Sequence, residues 1–443
     1  MADNLFNFDD DRVLNDGPVT CLGIEFENDK KRRDYFREEL RKKLPELRLI
    51  EGFPVGEDDD IIALSDPPYY TACPNPWIKD FIKEWEAEKT KLQAKGKRKA
   101  VFEVNEPYSQ DISVGKNNKI YNSHSYHTKV PHPAIMRLLF HYTQPGDIVY
   151  DGFAGTGMTG VASGLCDGSS KEVTGSNISF GLRHCVCSDL SPIASFISYN
   201  LNINNTRKFL SFSKVLEAVK KEYSYLYKTK HTNGQYGEIR YVVWSDKIIC
   251  PHCGKELLFW DTFVKYGDGV VVDDGHCEHC GGLIPRKTAK KVFETTYDKY
   301  INDSVSLVSA VPVLINYSFN GKRYTKKPDE EDLKIYKEIA EQKNDSWVPT
   351  DALIDGDKMG DPKAKGIFHT HQFYNSRTLF LLSKIWEKCD LDNWFCLTNS
   401  ISRNLTKLNR FVVNKYNLFG RINGPLSGTL YPPSEVVEQN VFD

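Results

Sequence analysis

The pattern of apolar and polar positions divides the chain into segments of different period. Residues 29–47 (DKKRRDYFREELRKKLPEL) are highly charged and read as one helical stretch. Ile61, Ile62, Ala63 and Leu64 form a short apolar run that stops at Asp66-Pro67-Pro68, which predicts a buried strand. The segment 79–99 is charged and helix-prone and closes on the basic run KLQAKGKRKA, and residues 100–128 look irregular. In PHPAIMRLLFHYTQP the apolar positions Ile135, Leu138, Leu139 and Tyr142 recur at helical spacing. GDIVYDGFAGTGMTG then reads as a strand and a glycine turn, VASGLC as a helix, and RHCVCSDLSPIA as a second strand. Strand, glycine turn, helix and strand give the βαβ order of a parallel α/β sheet.

Beyond residue 206 the pattern changes. An amphipathic helix spans 207–228, with Leu210, Val215, Val219 and Tyr223 among its apolar positions. Residues 240–290 consist of short β-like runs, and Asn320-Gly321 between alternating residues predicts a hairpin. Helices are expected at 329–342, with acidic residues in the first turn, and near 377–388. The chain then runs into an unperiodic tail, and no internal repeat is visible. The resulting division is a charged helical segment 1–48, an α/β core 49–205, an insert 206–345 and a helical and irregular region 346–443.

The 443 residues contain 58 Lys plus Arg and 60 Asp plus Glu, for a formal charge of −2. That balance excludes a polycation of the histone type, so any nucleic acid must be met through local basic patches. The best candidates are Lys89–Lys99 and Lys322–Lys327, each more readily read as a solvated surface. No apolar run approaches about 18 residues, the length of a membrane span, and the acidic start MADNLFNFDDDR lacks the apolar core of a secretory signal. Of the 11 cysteines, four fall in two CxxC pairs and the rest are scattered like free thiols of a reducing, cytoplasmic compartment.

Three motifs carry chemistry. The first is DGFAGTGMTG, Asp151–Gly160, where Gly155, Gly157 and Gly160 spell GxGxxG after a strand and before a helix. Such glycines let a backbone approach a ligand, and the helix start offers free N–H groups. Asp189, 38 positions after Asp151, is placed to hold ribose hydroxyls at the end of the next strand. A purely structural glycine turn fits the same residues. The second motif is Asp66-Pro67-Pro68-Tyr69. An exocyclic amino group on adenine or cytosine is a poor nucleophile, because its lone pair is delocalised into the ring. The Asp66 carboxylate and the Pro67 carbonyl together accept its two N–H groups and favour a pyramidal nitrogen. Tyr69 is suited to stack on a base taken out of the duplex; the bland alternative is a Pro-Pro terminator with a surface tyrosine. The third motif is Cys250-x-x-Cys253 and Cys277-x-x-Cys280, with 23 residues between the pairs and a glycine after each, which fits a four-cysteine zinc ribbon better than a redox dithiol. A site closed by four thiolates is structural or DNA-contacting. His252 and His279 inside the pairs are read as non-ligating, and Trp77, Trp85 and Trp244 as packing residues. His369-Thr370-His371 invites a metal reading, but no carboxylate or cysteine pattern accompanies it.

Together these residues resemble the S-adenosylmethionine-dependent DNA amino-methyltransferases in the beta order, in which the target-base motif precedes the cofactor motif. The resemblance covers residues 55–200. It implies a Rossmann-like α/β methyltransferase sheet with an inserted zinc ribbon, acting on double-stranded DNA with S-adenosylmethionine as cofactor and Zn2+ as a structural ion. In that pattern the segment His127-Thr128-Lys129 lines the cofactor pocket. Asp151, Phe153, Gly155 and Gly157 match the cofactor loop, Asp189 the ribose-binding acid, and Asp66, Pro67, Pro68 and Tyr69 the catalytic motif. DPPY is more frequent in adenine-N6 enzymes and SPPY in cytosine-N4 enzymes, so adenine is expected, with cytosine N4 and an RNA amino group as alternatives. ALSDPPYYTACPNPW with YHTKVPHPAIMR and the ribbon also resembles the N-terminal portion of large bacterial site-specific methyltransferases, whose downstream DPPF-type segment has no counterpart here. Only 57 residues separate Tyr69 from His127. The strands that complete the sheet are therefore expected from residues 290–443, from a second methyltransferase chain or a restriction or defence subunit, or from a continuation. A cytosine-C5 enzyme is disfavoured because the chain has Cys-Pro at Cys73-Pro74 and Cys250-Pro251 but no Pro-Cys.

Overall fold

The first long helix begins where an asparagine meets an acidic turn. Asn28 accepts the Lys31 N–H at 2.9 Å and starts α1 (Asp29–Leu47), which follows a short antiparallel hairpin of β1 (Val19–Cys21) and β2 (Ile24–Phe26). The computed structural model describes residues 17–443 apart from 116–117, 125, 127, 171, 174–177, 204–205, 390–403, 415–416 and 427. The chain divides into two compact units, Met1–Leu210 and Ser211–Asp443.

In the first unit, Arg32, Phe36, Leu40 and Leu44 lie one helical turn apart on α1 and are all buried. Phe36, Leu40 and Leu44 pack with Cys21, Ile61, Ile62 and Trp77. The run 61–64 is not the expected strand but the end of α2 (Asp58–Leu64). Asp58, Asp59 and Asp60 occupy its first turn, where their charge meets the unpaired N–H groups of a helix start. The helix still buries Ile61 and Ile62. There follow α3 (Ile78–Ala94), α4 (Lys119–Asn122) and α5 (His132–Tyr142). Then come β3 (Ile148–Asp151), α6 (Met158–Leu165), β4 (His184–Cys187) and α7 (Pro192–Asn202). β3 and β4 pair in parallel, from Ile148 opposite His184 to Asp151 opposite Cys187, with α6 between them in the chain. This is the βαβ unit read from the sequence. Met136 and Leu139 of α5 meet Ala162 of α6, Cys166 and Val173 in one apolar cluster.

The second unit is built on one long strand. After α8 (Thr206–Tyr223) come β5 (Lys228–Lys230), β6 (Tyr236–Ile249), β7 (Glu256–Leu258) and α9 (Phe259–Phe263). Short pieces follow: β8 (Val264–Lys265), β9 (Val270–Val271), β10 (Asp274–His276), β11 (Leu283–Pro285) and β12 (Lys290–Lys291). The chain continues through β13 (Phe293–Asp298), β14 (Asp303–Val308), β15 (Ala310–Phe319), β16 (Lys322–Lys326) and α10 (Glu330–Glu341). It ends with α11 (Gly360–Lys363), α12 (Ser376–Lys388), β17 (Arg410–Asn414), β18 (Asn417–Asn423) and β19 (Glu435–Gln439). The sheet order is β16-β15-β6-β19-β17-β18, and β5, β7 and β12 also pair with β6.

Asn320 and Gly321 both take left-handed φ, 47° and 74°, as a tight hairpin between β15 and β16 requires. Asp329 and Asp332 form a reciprocal capping box at the start of α10. The tail read as unperiodic supplies β17, β18 and β19, and β19 lies between β6 and β17. Its two buried valines, Val436 and Val437, form too short a stretch for a period to show. The strands after residue 290 are thus used within this unit. No helix among the described residues is long and apolar enough to cross a membrane.

Candidate functional site

The DPPY residues form a closed turn directly after α2. Asp66 and Tyr70 exchange both backbone hydrogen bonds, at 3.0 and 3.2 Å. Ser65, fully buried, accepts the Ala72 N–H at 2.8 Å, and Asn75 Nδ2 donates to the Pro68 carbonyl at 2.8 Å. The Asp66 side chain is buried, while Tyr69 is 47% exposed. Tyr199 of α7 donates its hydroxyl to Asp66 Oδ2 and stacks on Tyr70 with ring centroids 4.9 Å apart. Burial, reinforced by the Asp66 charge, holds the Tyr199 hydroxyl protonated far above the ordinary tyrosine range. Burial also pushes Tyr70 up to about 12.

Two arginines of α1 reach the same turn. Arg32 Nη2 donates to Asp66 Oδ1 at 3.2 Å, and Arg32 Nη1 donates to the Pro67 carbonyl at 2.8 Å. Its guanidinium carbon lies 4.9 Å from the centroid of the Tyr69 ring. Arg33 Nε stands 3.4 Å from Asp66 Oδ1. Sequence reading did not single out Arg32, Arg33, Ser65, Asn75 or Tyr199. A signal existed for Arg32, because it heads the apolar stripe of Phe36, Leu40 and Leu44 on α1.

The glycine loop is held by its two acids. Asp151 Oδ1 accepts the Phe153 N–H at 3.1 Å, and Asp151 Oδ2 accepts the Thr159 hydroxyl at 2.6 Å. Asp189 Oδ2 accepts the Gly155 N–H at 2.8 Å, and Asp189 Oδ1 the Ser191 N–H at 2.9 Å. Phe153 is 84% exposed. Thr156 Oγ1 is buried with no hydrogen-bond partner among the described residues, so the loop carries a polar atom that those residues do not satisfy. Thr128 has a left-handed φ of 58°. Lys129 Nζ is tied to the Tyr121 and His124 carbonyls and lies 4.5 Å from the Tyr121 ring centroid, and burial pushes it down to about 8. His127 lies outside the described residues.

Gly157 combines a φ of 74° with a close approach, since a Cβ there would stand 2.2 Å from Ser198 Oγ of α7. Gly157→Ala is expected to cost about 2–4 kcal/mol from left-handed strain plus overpacking. Gly164→Ala, inside α6, meets nothing within 4 Å and is expected to be neutral or to gain up to about 1 kcal/mol. Melting temperatures of the two variants check the contrast, and equal effects would refute it.

In the second unit, Cys250, Cys253, Cys277 and Cys280 bring their sulfurs within 4.8 Å of one another, which could hold a metal ion. The Cys250–Cys280 and Cys253–Cys277 pairs are each 3.7 Å apart. A tetrahedron of zinc–sulfur bonds has edges of roughly 3.8 Å. The two turns match: Gly254 N–H bonds the Cys250 carbonyl at 3.0 Å and Gly281 N–H the Cys277 carbonyl at 2.8 Å. Both glycines are left-handed, at φ 73° and 72°. His252 spends Nε2 on the Leu283 carbonyl at 2.8 Å. His371 pairs with Asp298 at 2.7 Å, and the metal-type cluster found among the described residues does not include it.

The basic runs are partly spent on internal contacts. Arg98 bonds Asp147 at 2.7 Å, and Lys326 pairs with Asp329 at 2.7 Å and Asp332 at 3.0 Å. Trp77 is buried in the apolar cluster of α1, Trp85 stacks on His184 with centroids 4.7 Å apart, and Trp244 donates to Glu438 at 2.7 Å.

No curated protein and no solved structure matches the chain. The model of one family, described as DNA methylase, matches residues 11–169, a span that holds α1, the DPPY turn and the glycine loop and stops before Asp189. Over those residues the chain is similar to the adenine-N6/cytosine-N4 DNA methylases.

Proposed function

We propose that the chain transfers a methyl group from S-adenosylmethionine to the N6 amino group of adenine in double-stranded DNA. The observation that carries this reading is the Asp66 carboxylate and Pro67 carbonyl presented on one turn beside the half-exposed Tyr69, within a segment matching DNA methylases. Asp66 and Pro67 each take one N–H of the amino group, and Tyr69 stacks on the extruded base. When bound, S-adenosylmethionine supplies an electrophilic methyl group. Asp151, Phe153, Gly155, Gly157 and Asp189, with Thr128 and Lys129, are the residues assigned to hold it. The Thr156 hydroxyl in the same loop, without a partner among the described residues, supports a polar ligand there. Aspartate rather than serine at position 66 favours adenine over cytosine. The four cysteines are assigned a structural zinc ion, and a DNA substrate together with thiols kept reduced fits a cytoplasmic protein.

Incubation with labelled S-adenosylmethionine and unmethylated DNA should give label on N6-methyladenine. Asp66→Ala should lower turnover by roughly two to three orders of magnitude while cofactor binding persists. Undiminished transfer by that variant refutes the assigned role, and no transfer by the wild type, alone or with a second chain, sinks the enzyme. A second reading is a half-enzyme that needs a partner to complete its sheet. It is favoured by the parallel pair β3–β4 having only two strands among the described residues, and transfer that appears only on adding a second methyltransferase chain would select it.

A further inference from the structure

We propose that Arg32 occupies the place of the target amino group and controls access of a base to the DPPY turn. The inference rests on the amino-methyltransferase reading given above. A flipped adenine would make three contacts there: one N–H to the Asp66 carboxylate, one N–H to the Pro67 carbonyl, and stacking against Tyr69. The Arg32 guanidinium makes all three, at 3.2 Å, 2.8 Å and 4.9 Å. The match is chemical as well as geometric. A guanidinium, like an aminopurine edge, is planar and delocalised, and it presents parallel N–H donors next to a face that stacks on an aromatic ring. While Arg32 holds both acceptors, no base amino group can take the same two bonds.

The surroundings provide for displacement without loss of the site. Arg32 Nε is held by Asp29 at 2.8 Å, so a counter-charge stays with the guanidinium when its two terminal nitrogens let go. Asp66 keeps the Tyr199 hydroxyl on Oδ2 and Arg33 beside Oδ1, so the carboxylate stays oriented. The arginine stem is fixed because α1 is anchored by Phe36, Leu40 and Leu44. Rotation of the side chain, not undocking of the helix, therefore opens the turn. A group without N–H donors has nothing to exchange for the guanidinium bonds, and an amino-bearing base does.

The test is binding of free adenine, measured calorimetrically on the full chain with S-adenosylhomocysteine present to fill the assigned cofactor loop. Arg32→Met keeps the apolar stem and removes the donors. It should bind adenine about tenfold more tightly than wild type, since the closed form no longer competes. N6,N6-dimethyladenine should gain nothing, and the gain should vanish in the Arg32→Met/Asp66→Ala double variant. Arg32→Lys serves if the methionine variant does not fold. A lysine reaches one acceptor at a time, so a smaller gain is expected. Unchanged adenine affinity in a folded variant, or a gain that survives loss of Asp66, overturns the proposal. Methyl transfer to unmethylated DNA is followed in parallel, and KM for DNA should fall in Arg32→Met. Absence of transfer in every protein counts against the enzyme, and the adenine measurement then still decides the role of Arg32.

Discussion

Cys277→Ser should release the metal and unfold the ribbon while the rest of the second unit stays folded. The pieces that form the ribbon are too short to stand alone: β7, β10 and β11 have three residues each and β12 has two. Its apolar cluster is small: Ile248, Leu257, Phe259, Phe263 and Ile284 around Cys250 and Cys277, with Val271, Val272 and Ala289 packed against it. Zinc bound by thiolates in such small modules supplies about 10–16 kcal/mol of apparent binding energy, and that energy is folding energy. Removing one ligand, or removing the ion with a chelator, takes away most of it. Hydrogen exchange reads the result by position. Amides of residues 250–285 should lose protection, while residues 239–245 of β6, held by β15 and β19, should keep it. One zinc per chain is expected by elemental analysis of the wild type. Protection of 250–285 that persists without metal would overturn the assignment.

Arg377→Met should cost the second unit about 3–5 kcal/mol, the usual penalty for leaving one partner of a buried ion pair alone. The side chains of Arg377 and Glu438 are 1% and 0% exposed, and Arg377 Nε donates to Glu438 Oε1 at 2.8 Å. Arg377 Nη1 also donates to the Leu226 carbonyl at 3.0 Å, and the guanidinium lies 4.3 Å from the Tyr227 ring centroid and 4.8 Å from that of Tyr336. Glu438 accepts from Trp244 Nε1 at 2.7 Å and from the Tyr336 hydroxyl at 2.8 Å. With methionine at 377 the carboxylate keeps those two donors but loses the cation paired directly with it. Glu438→Gln in the same background should recover much of the loss, because an uncharged amide no longer needs one. Urea unfolding of the two single variants and the double variant gives the coupling directly. Additive losses would show that the pair is not acting as a unit.

The motifs were legible in the sequence wherever covalent chemistry or backbone conformation dictates residue type. The CxxC spacing, the Asn320-Gly321 turn, the strand leading to Asp151 and the helix from Asp329 with its acidic first turn all follow local rules, and the fold contains each of them. The run 61–64 was misread because four apolar residues fit a strand or a buried helical turn equally well, and the three aspartates before it were the deciding signal. β19 was missed because its identity as a central strand depends on β6 and β17, not on its own five residues. Arg32 escaped for a different reason. In DKKRRDYFREELRKK it is one cation among many, and only its register with Phe36, Leu40 and Leu44 sets it apart as buried.

The placing of β19 also bears on how the chain is made. β6 leaves the ribosome well before the strand that will lie beside it, and the Asn440 side chain bonds the Ile239 carbonyl across 201 positions. At roughly 5–20 residues per second, that edge of β6 waits some 10–40 s for its partner during synthesis. Val242 and Val243, fully buried in the finished sheet, sit on the waiting strand, and an unpaired apolar edge is a template for the wrong neighbour. Nascent chains should therefore need holding by chaperones from the emergence of β6 until Glu435–Gln439 arrive, and contacts this distant in sequence should make refolding of the second unit slow.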